Sequence, residues 1–176
     1  MSRLLKKKIR QKAIELLEET SIQHPPINVG KAAKACGALV RYEPFDGDLS
    51  GILYSENDKI IIGVNQTHSR RRKRFTIAHE LGHLKLHNSN ELFVDRTFPI
   101  YLRSEISSQA IDPLEIEANT FAAEFLMPVS MLDKDIHGQI IDYEDDSTIK
   151  ALADKYDVSL QAMIFRLINL GYLKEQ

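Results

Sequence analysis

Residues 75–86, Phe-Thr-Ile-Ala-His-Glu-Leu-Gly-His-Leu-Lys-Leu, are apolar on nearly every side when wound into a helix. Such a helix is stable only where other elements cover it all round, so the fold has to be built about it. It nevertheless carries His79, Glu80 and His83, and buried polar side chains need partners. Two imidazoles four residues apart stand about 40° apart around a helix axis and can grip one metal ion. Glu80 lies roughly 80° from their midpoint, where a carboxylate reaches water at the metal without being a ligand. The pattern His-Glu-x-x-His therefore predicts zinc, with His79 and His83 as ligands and Glu80 as general base. Five residues with two free positions also arise by chance, with histidines that merely cap or pack. The apolar surroundings favour metal.

With 176 residues the chain fits one domain with a core of ordinary size. Its 43% hydrophobic content is that of a globular protein, and no apolar run approaches the roughly 20 residues that span a bilayer. Residues 1–10 are basic, but the amphipathic Ala13-Ile14-Glu15-Leu16-Leu17 follows them instead of a signal-peptide core. A cytoplasmic protein is expected, and the single cysteine, Cys36, agrees with a reducing compartment. Cys36 reads as a small buried side chain. A net charge of -2 gives no general attraction to nucleic acid or to an anionic membrane.

Residues 3–20 have helical spacing and end before Gln23-His24-Pro25-Pro26; residues 1–26 therefore read as an N-terminal helix and linker. Asn28 is the expected cap of a short helix that stops at Gly37. Three β-rich runs follow, 38–42, 51–54 and 59–64, the last two joined as a hairpin across Glu56-Asn57-Asp58. The central helix is expected over 69–87, with extended pieces at 92–94 and 100–102. Asp112-Pro113 opens another helix, which ends at Met127-Pro128. A short helix, an acidic loop at 142–146 and two helices joined at Asp157-Val158-Ser159 complete the chain. The fold class is α+β: a small antiparallel β-sheet packed on a helical core, with C-terminal helices.

A hydrolytic zinc site has three protein ligands and an open position. A histidine ten residues after His79 is excluded, because Ser89 stands there. His87 lies too far along the helix axis, and Asp95 sits in an expected strand. On the helix after Asp112, the apolar stripe Leu114, Ala118, Phe121, Ala122 and Phe125 leaves Glu115 about 60° from its centre, on the inward half. Glu117 points the other way, beside Glu124. The competing reading of Glu115 is a capping box with Asp112, in which its carboxylate folds back on the backbone. Asn119, one turn on, is placed to bond a histidine ring or the ligand carboxylate.

The two blocks FTIAHELGHLKLH and EIEANTFAAEFLMP, about thirty residues apart, resemble the ImmA/IrrE family of zinc metallopeptidases, over about residues 27–172. The family pattern falls on Glu115, Ala118, Asn119, Phe121 and Ala122, so the resemblance also selects Glu115 as third ligand. It implies a single metallopeptidase domain over 1–176, gluzincin-like, holding one zinc per chain. It further implies a stress-response protease whose partner is a transcriptional repressor of helix-turn-helix type, cut by the enzyme.

Residues 147–172 have the rhythm of a helix-turn-helix packed with the domain. Asp157 stands where that turn usually has Gly, and the would-be reading helix 159–169 carries only Arg166 as a base-contacting cation, which argues against direct nucleic-acid binding. The run Arg70-Arg71-Arg72-Lys73-Arg74 reads as a solvated first turn, with contact to an acidic substrate or DNA as the other reading. Strand 59–64 or 51–54 is the expected place for an extended substrate to pair at a sheet edge. Tyr101, Tyr143 and His137 are the candidates to stabilise a tetrahedral oxyanion. A rival of another class is a zinc-containing regulatory protein that binds a repressor or DNA without proteolysis. Glu80 argues against it, since a structural site has no use for a base beside the metal.

Overall fold

The computed structural model describes residues 1–45, 49–57, 59–87, 93–95, 112–142 and 145–174. Helix α1 (Arg3–Glu19) buries Ile9, Ala13, Leu16 and Leu17, the one-sided stripe its spacing predicts. Asn28 caps α2 (Val29–Ala35) by accepting from the Lys31 amide at 2.9 Å, and Gly37 follows at φ +72°. Strands β1 (Ala38–Glu43), β2 (Gly51–Glu56) and β3 (Lys59–Asn65) lead into α3 (Arg70–Leu86), whose N-cap is Ser69. Strand β4 (Phe93–Asp95) precedes α4 (Pro113–Leu126). The chain then forms α5 (Val129–Ile136), β5 (Ile141–Asp142), α6 (Asp146–Tyr156), α7 (Leu160–Leu170) and β6 (Leu173–Lys174). The expected extended piece at 100–102 lies outside the described residues.

The α+β class is as expected, but the main sheet is mixed, in the order β1-β3-β2-β4. The β2–β3 hairpin forms with Glu56 opposite Lys59, while β1 runs parallel to β3 with Ala38 opposite Ile60. Burial explains the order. Residues 61–65 of β3 are buried on both faces, so this strand takes the interior, whereas β1 exposes Leu39 and Tyr42 and takes an edge. This corrects the expectation for substrate pairing. Strand β3 is occupied on both sides, and β2 pairs with β4 at Gly51, Ile52 and Leu53, so neither is a free edge there. Strands β5 and β6, a parallel pair joining Ile141 to Leu173, escaped the sequence reading because each has only two residues.

Helix α3 sits where its composition requires, with β2, β3 and α2 around it and α4 packed across it. Residues 76–83 are buried without interruption. The C-terminal segment is locked onto this core by a buried ion pair. Arg166 of α7 donates to both carboxylate oxygens of Glu124, at 2.7 and 3.0 Å, and to the Met127 carbonyl at 3.0 Å. Arg10 of α1 adds two bonds at 3.1 Å to the same carboxylate. The only cation available on the would-be reading helix is therefore 6% exposed and already paired. Such a side chain reads no base.

Candidate metal centre

Two glycines bring the site together. At Gly82 an added Cβ would lie 2.9 Å from Ala118 Cα and 3.0 Å from its carbonyl oxygen, so its absence lets α4 close on α3. At Gly51 an added Cβ would meet Thr76 Cγ2 and stand 2.8 Å from Glu80 Oε1, so β2 lies directly against the Glu80 carboxylate. Glu80 is fully buried at that helix–sheet contact. Asp95, the alternative third ligand in sequence, has its backbone opposite Gly51 in β4.

The close crossing of α3 and α4 brings three donors to one point. His79 Nε2 and His83 Nε2 are 3.0 Å apart, and Glu115 places Oε2 at 3.2 Å from the first and Oε1 at 3.2 Å from the second. Both histidines are 1% exposed. Tetrahedral zinc with nitrogen and oxygen ligands at about 2.0–2.2 Å sets its donors about 3.3 Å apart, so this triangle fits such an ion to within a few tenths of an ångström. Among the described residues these three form a cluster compatible with a metal ion. The donor set, two imidazoles and a carboxylate, is one that zinc accepts.

Electrostatics agree with a cation at this point. Burial pushes the Glu115 carboxyl up, but bonds from His79 and His83 outweigh it and hold the group well below the usual carboxylate range. Burial lowers the affinity of His83 for a proton, with Glu115 opposing, which favours the neutral ring that a metal requires. The capping-box alternative is not realised. Asp112 caps α4 alone, accepting from the Leu114 amide at 2.9 Å, while the Glu115 side chain faces the histidines.

Asn119 lies where the sequence placed it, with Oδ1 3.1 Å from His79 Nδ1. Two further side chains were missed. His87 Nδ1 is 3.1 Å from His83 Nδ1, and Glu117 Oε2 is 3.3 Å from His87 Nε2. The expectation that Glu117 turns away from the site is thus corrected, because α1 and the end of α3 cover that side of α4. The signal was present in His83-x-x-x-His87, which repeats the spacing of the first pair. His137 ends α5 at φ +53°, exposed, with no hydrogen bond to the donor cluster among the described residues. Tyr101 and Tyr143 lie outside those residues.

The arginine run is solvated at its start, as a first turn should be, with the Arg70 side chain 78% exposed and Arg72 exposed, but it is also paired. Arg70 and Arg74 pair with the Asp157 carboxylate at 2.9 and 3.1 Å, and Arg71 pairs with Asp154 at 2.5 Å. Arg72 donates to Ser50 Oγ at 2.7 Å, and Lys73 to the Gln66 carbonyl at 2.9 Å. Asp157 occupies the left-handed turn at φ +52°, where Gly would fit more easily, and its carboxylate is what the arginines hold.

The sequence profile of a peptidase family described as the IrrE N-terminal-like domain matches residues 33–168. An uncharacterized immunity region protein 2 of Bacillus phage phi105 is 34% identical over 76 residues, 43% of this chain. The match spans 42% of that relative's length. No helix among the described residues is long and apolar enough to cross a membrane.

Proposed function

We propose, on the premise that this chain belongs to the IrrE N-terminal-like domain family of peptidases, that it is a cytoplasmic zinc-dependent endopeptidase that cleaves a partner protein, a helix-turn-helix transcriptional repressor. The observation that carries the reading is the triangle of His79, His83 and Glu115 donors, 3.0–3.2 Å apart, formed where α4 crosses the buried turn of α3 that also carries Glu80. Zinc held there supplies Lewis-acid chemistry, polarising a peptide carbonyl and lowering the pKa of water to about 7. His79 and His83 hold it through Nε2, and Glu115 through its carboxylate. With Nε2 so committed, the His79 proton resides on Nδ1 and is donated to Asn119 Oδ1, which fixes the ring. Glu80 takes a proton from the attacking water on its carboxylate and returns it to the departing amine nitrogen. The repressor as substrate is supported by the family and by the immunity-region name of the phage relative.

Elemental analysis of the purified chain is expected to give one zinc, lost in His79→Ala, His83→Ala and Glu115→Ala. Retention in Glu115→Ala with loss in Asp95→Ala would move the third ligand to β4. Glu80→Gln should keep zinc and fold yet abolish cleavage, since an amide keeps the shape and takes no proton. Proteolysis is followed on a gel, with any repressor encoded by a neighbouring gene as first substrate. Undiminished cutting by Glu80→Gln would remove Glu80 from the chemistry.

A further inference from the structure

His83 uses both ring nitrogens. Nε2 faces the donor cluster, 3.0 Å from His79 Nε2, while Nδ1 on the opposite side of the ring lies 3.1 Å from His87 Nδ1. The outer nitrogen of His87, Nε2, lies 3.3 Å from Glu117 Oε2. Helix geometry explains the first contact. His87 is the C-cap of α3, one turn beyond His83, and its amide donates to the His83 carbonyl at 2.9 Å. Its ring is thereby held behind the ligand and away from the metal side. The His87 side chain is 7% exposed, and α4 brings Glu117 to it across the helix crossing.

Counting protons leaves one arrangement that satisfies these contacts among the described residues. A His83 ring that gives its Nε2 lone pair to a metal carries its proton on Nδ1. That proton is donated to His87 Nδ1, which has to be bare. The neutral His87 ring then bears its proton on Nε2 and donates it to the Glu117 carboxylate. We propose, resting on the zinc reading of the site, that His87 and Glu117 are positioning residues. They form a carboxylate–histidine relay that fixes the orientation of His83 and strengthens it as a donor. The two histidine ligands are then unlike: His79 leans on a neutral amide oxygen, His83 on a carboxylate acting through a second imidazole.

The test uses the full chain and zinc competed against a chelator. His87→Phe, which keeps a ring of similar size, is expected to weaken zinc binding about 10-fold to 100-fold, as loss of such a partner typically does. His87→Gln can accept from His83 and donate to Glu117, and should recover most of that affinity. Glu117→Gln should weaken binding on its own and add nothing in the His87→Phe background, because Glu117 acts only through His87. Long-range nitrogen-15 spectra of the zinc-loaded protein should show His87 protonated on Nε2. Wild-type zinc affinity in His87→Phe, additive losses in the double variant, or a His87 proton on Nδ1 would each overturn the relay. Absence of zinc binding by the unaltered chain would overturn the underlying metal reading, and the relay with it. Should His87→Phe fail to fold, the Glu117→Gln affinity and the tautomer of His87 still decide.

Discussion

Asn119 occupies a position on α4 where leucine or alanine would pack as well, yet its Oδ1 stands 3.1 Å from the outer nitrogen of His79. Removing that acceptor in Asn119→Ala is expected to weaken zinc binding about 10-fold to 100-fold, read by chelator competition, with near-normal thermal stability of the zinc-loaded form. Asn119→Asp should be milder, because a carboxylate still accepts from the ring. Wild-type affinity in Asn119→Ala would reduce the residue to packing. The pairing of His79 with His83 was legible because its geometry is local: four residues make about one turn, whatever surrounds the helix. Glu117 was misread for the opposite reason. Its role depends on His87 and on the cover that α1 provides, neither of which a helical wheel of α4 contains.

At the scale of elements, two contacts hold the site in register. Propensity alone predicts that Gly82→Ala, inside α3, stabilises by about 1 kcal/mol. The added methyl would instead stand 2.9 Å from Ala118 Cα and 3.2 Å from Phe121 Cβ. Overpacking typically costs about 1–3 kcal/mol, so crowding should win. Thermal unfolding should show destabilisation, with weaker zinc binding as α4 moves Glu115 away; a rise in stability would show that α4 gives way freely. The second contact is the Arg166–Glu124–Arg10 cluster. Burial pushes the Glu124 carboxyl up, but Arg166 and then Arg10 outweigh it and hold it below its ordinary value. A depressed carboxyl contributes stability that is present above its unfolded pKa, about 4.3, and is lost as pH falls through the folded value. Wild-type stability should therefore drop on acidification below that range. Glu124→Gln leaves Arg166 buried with a neutral partner and should cost about 3–5 kcal/mol at pH 7, with a flatter acid limb. Urea unfolding at pH 7 and at acid pH checks both.

At the scale of the molecule, the C-terminal helices are fastened to the N-terminal end of α3, so the segment that reads as a helix-turn-helix is part of the scaffold. Asp157 sits at the centre of that joint, taking Arg70 and Arg74 on its carboxylate and Arg74 Nε on its carbonyl. Its φ of +52° predicts that Asp157→Gly relieves backbone strain of about 1 kcal/mol. The ion pair with the largely buried Arg74, whose side chain is 12% exposed, disappears with the carboxylate, and stripping a buried pair of one partner typically costs about 3–5 kcal/mol. Asp157→Gly should thus lower the unfolding midpoint; a raised midpoint would mean that the arginines find equivalent partners in solvent.

The sequence alone determined the helices and their caps, the β2–β3 hairpin, the burial of α3 and the convergence of His79 with His83. Each of these follows from interactions within a few residues, or from an apolar pattern that one helix carries by itself. Tertiary structure decided the rest: β1 beside β3, Arg166 consumed by Glu124, Arg70 and Arg74 paired with Asp157, and Glu117 turned to His87. In each of these a polar group or strand edge finds its partner far along the chain, 83 residues away for Arg74 and Asp157. Burial obliges such groups to pair, but only the packing of helices and sheet determines which partner comes within reach.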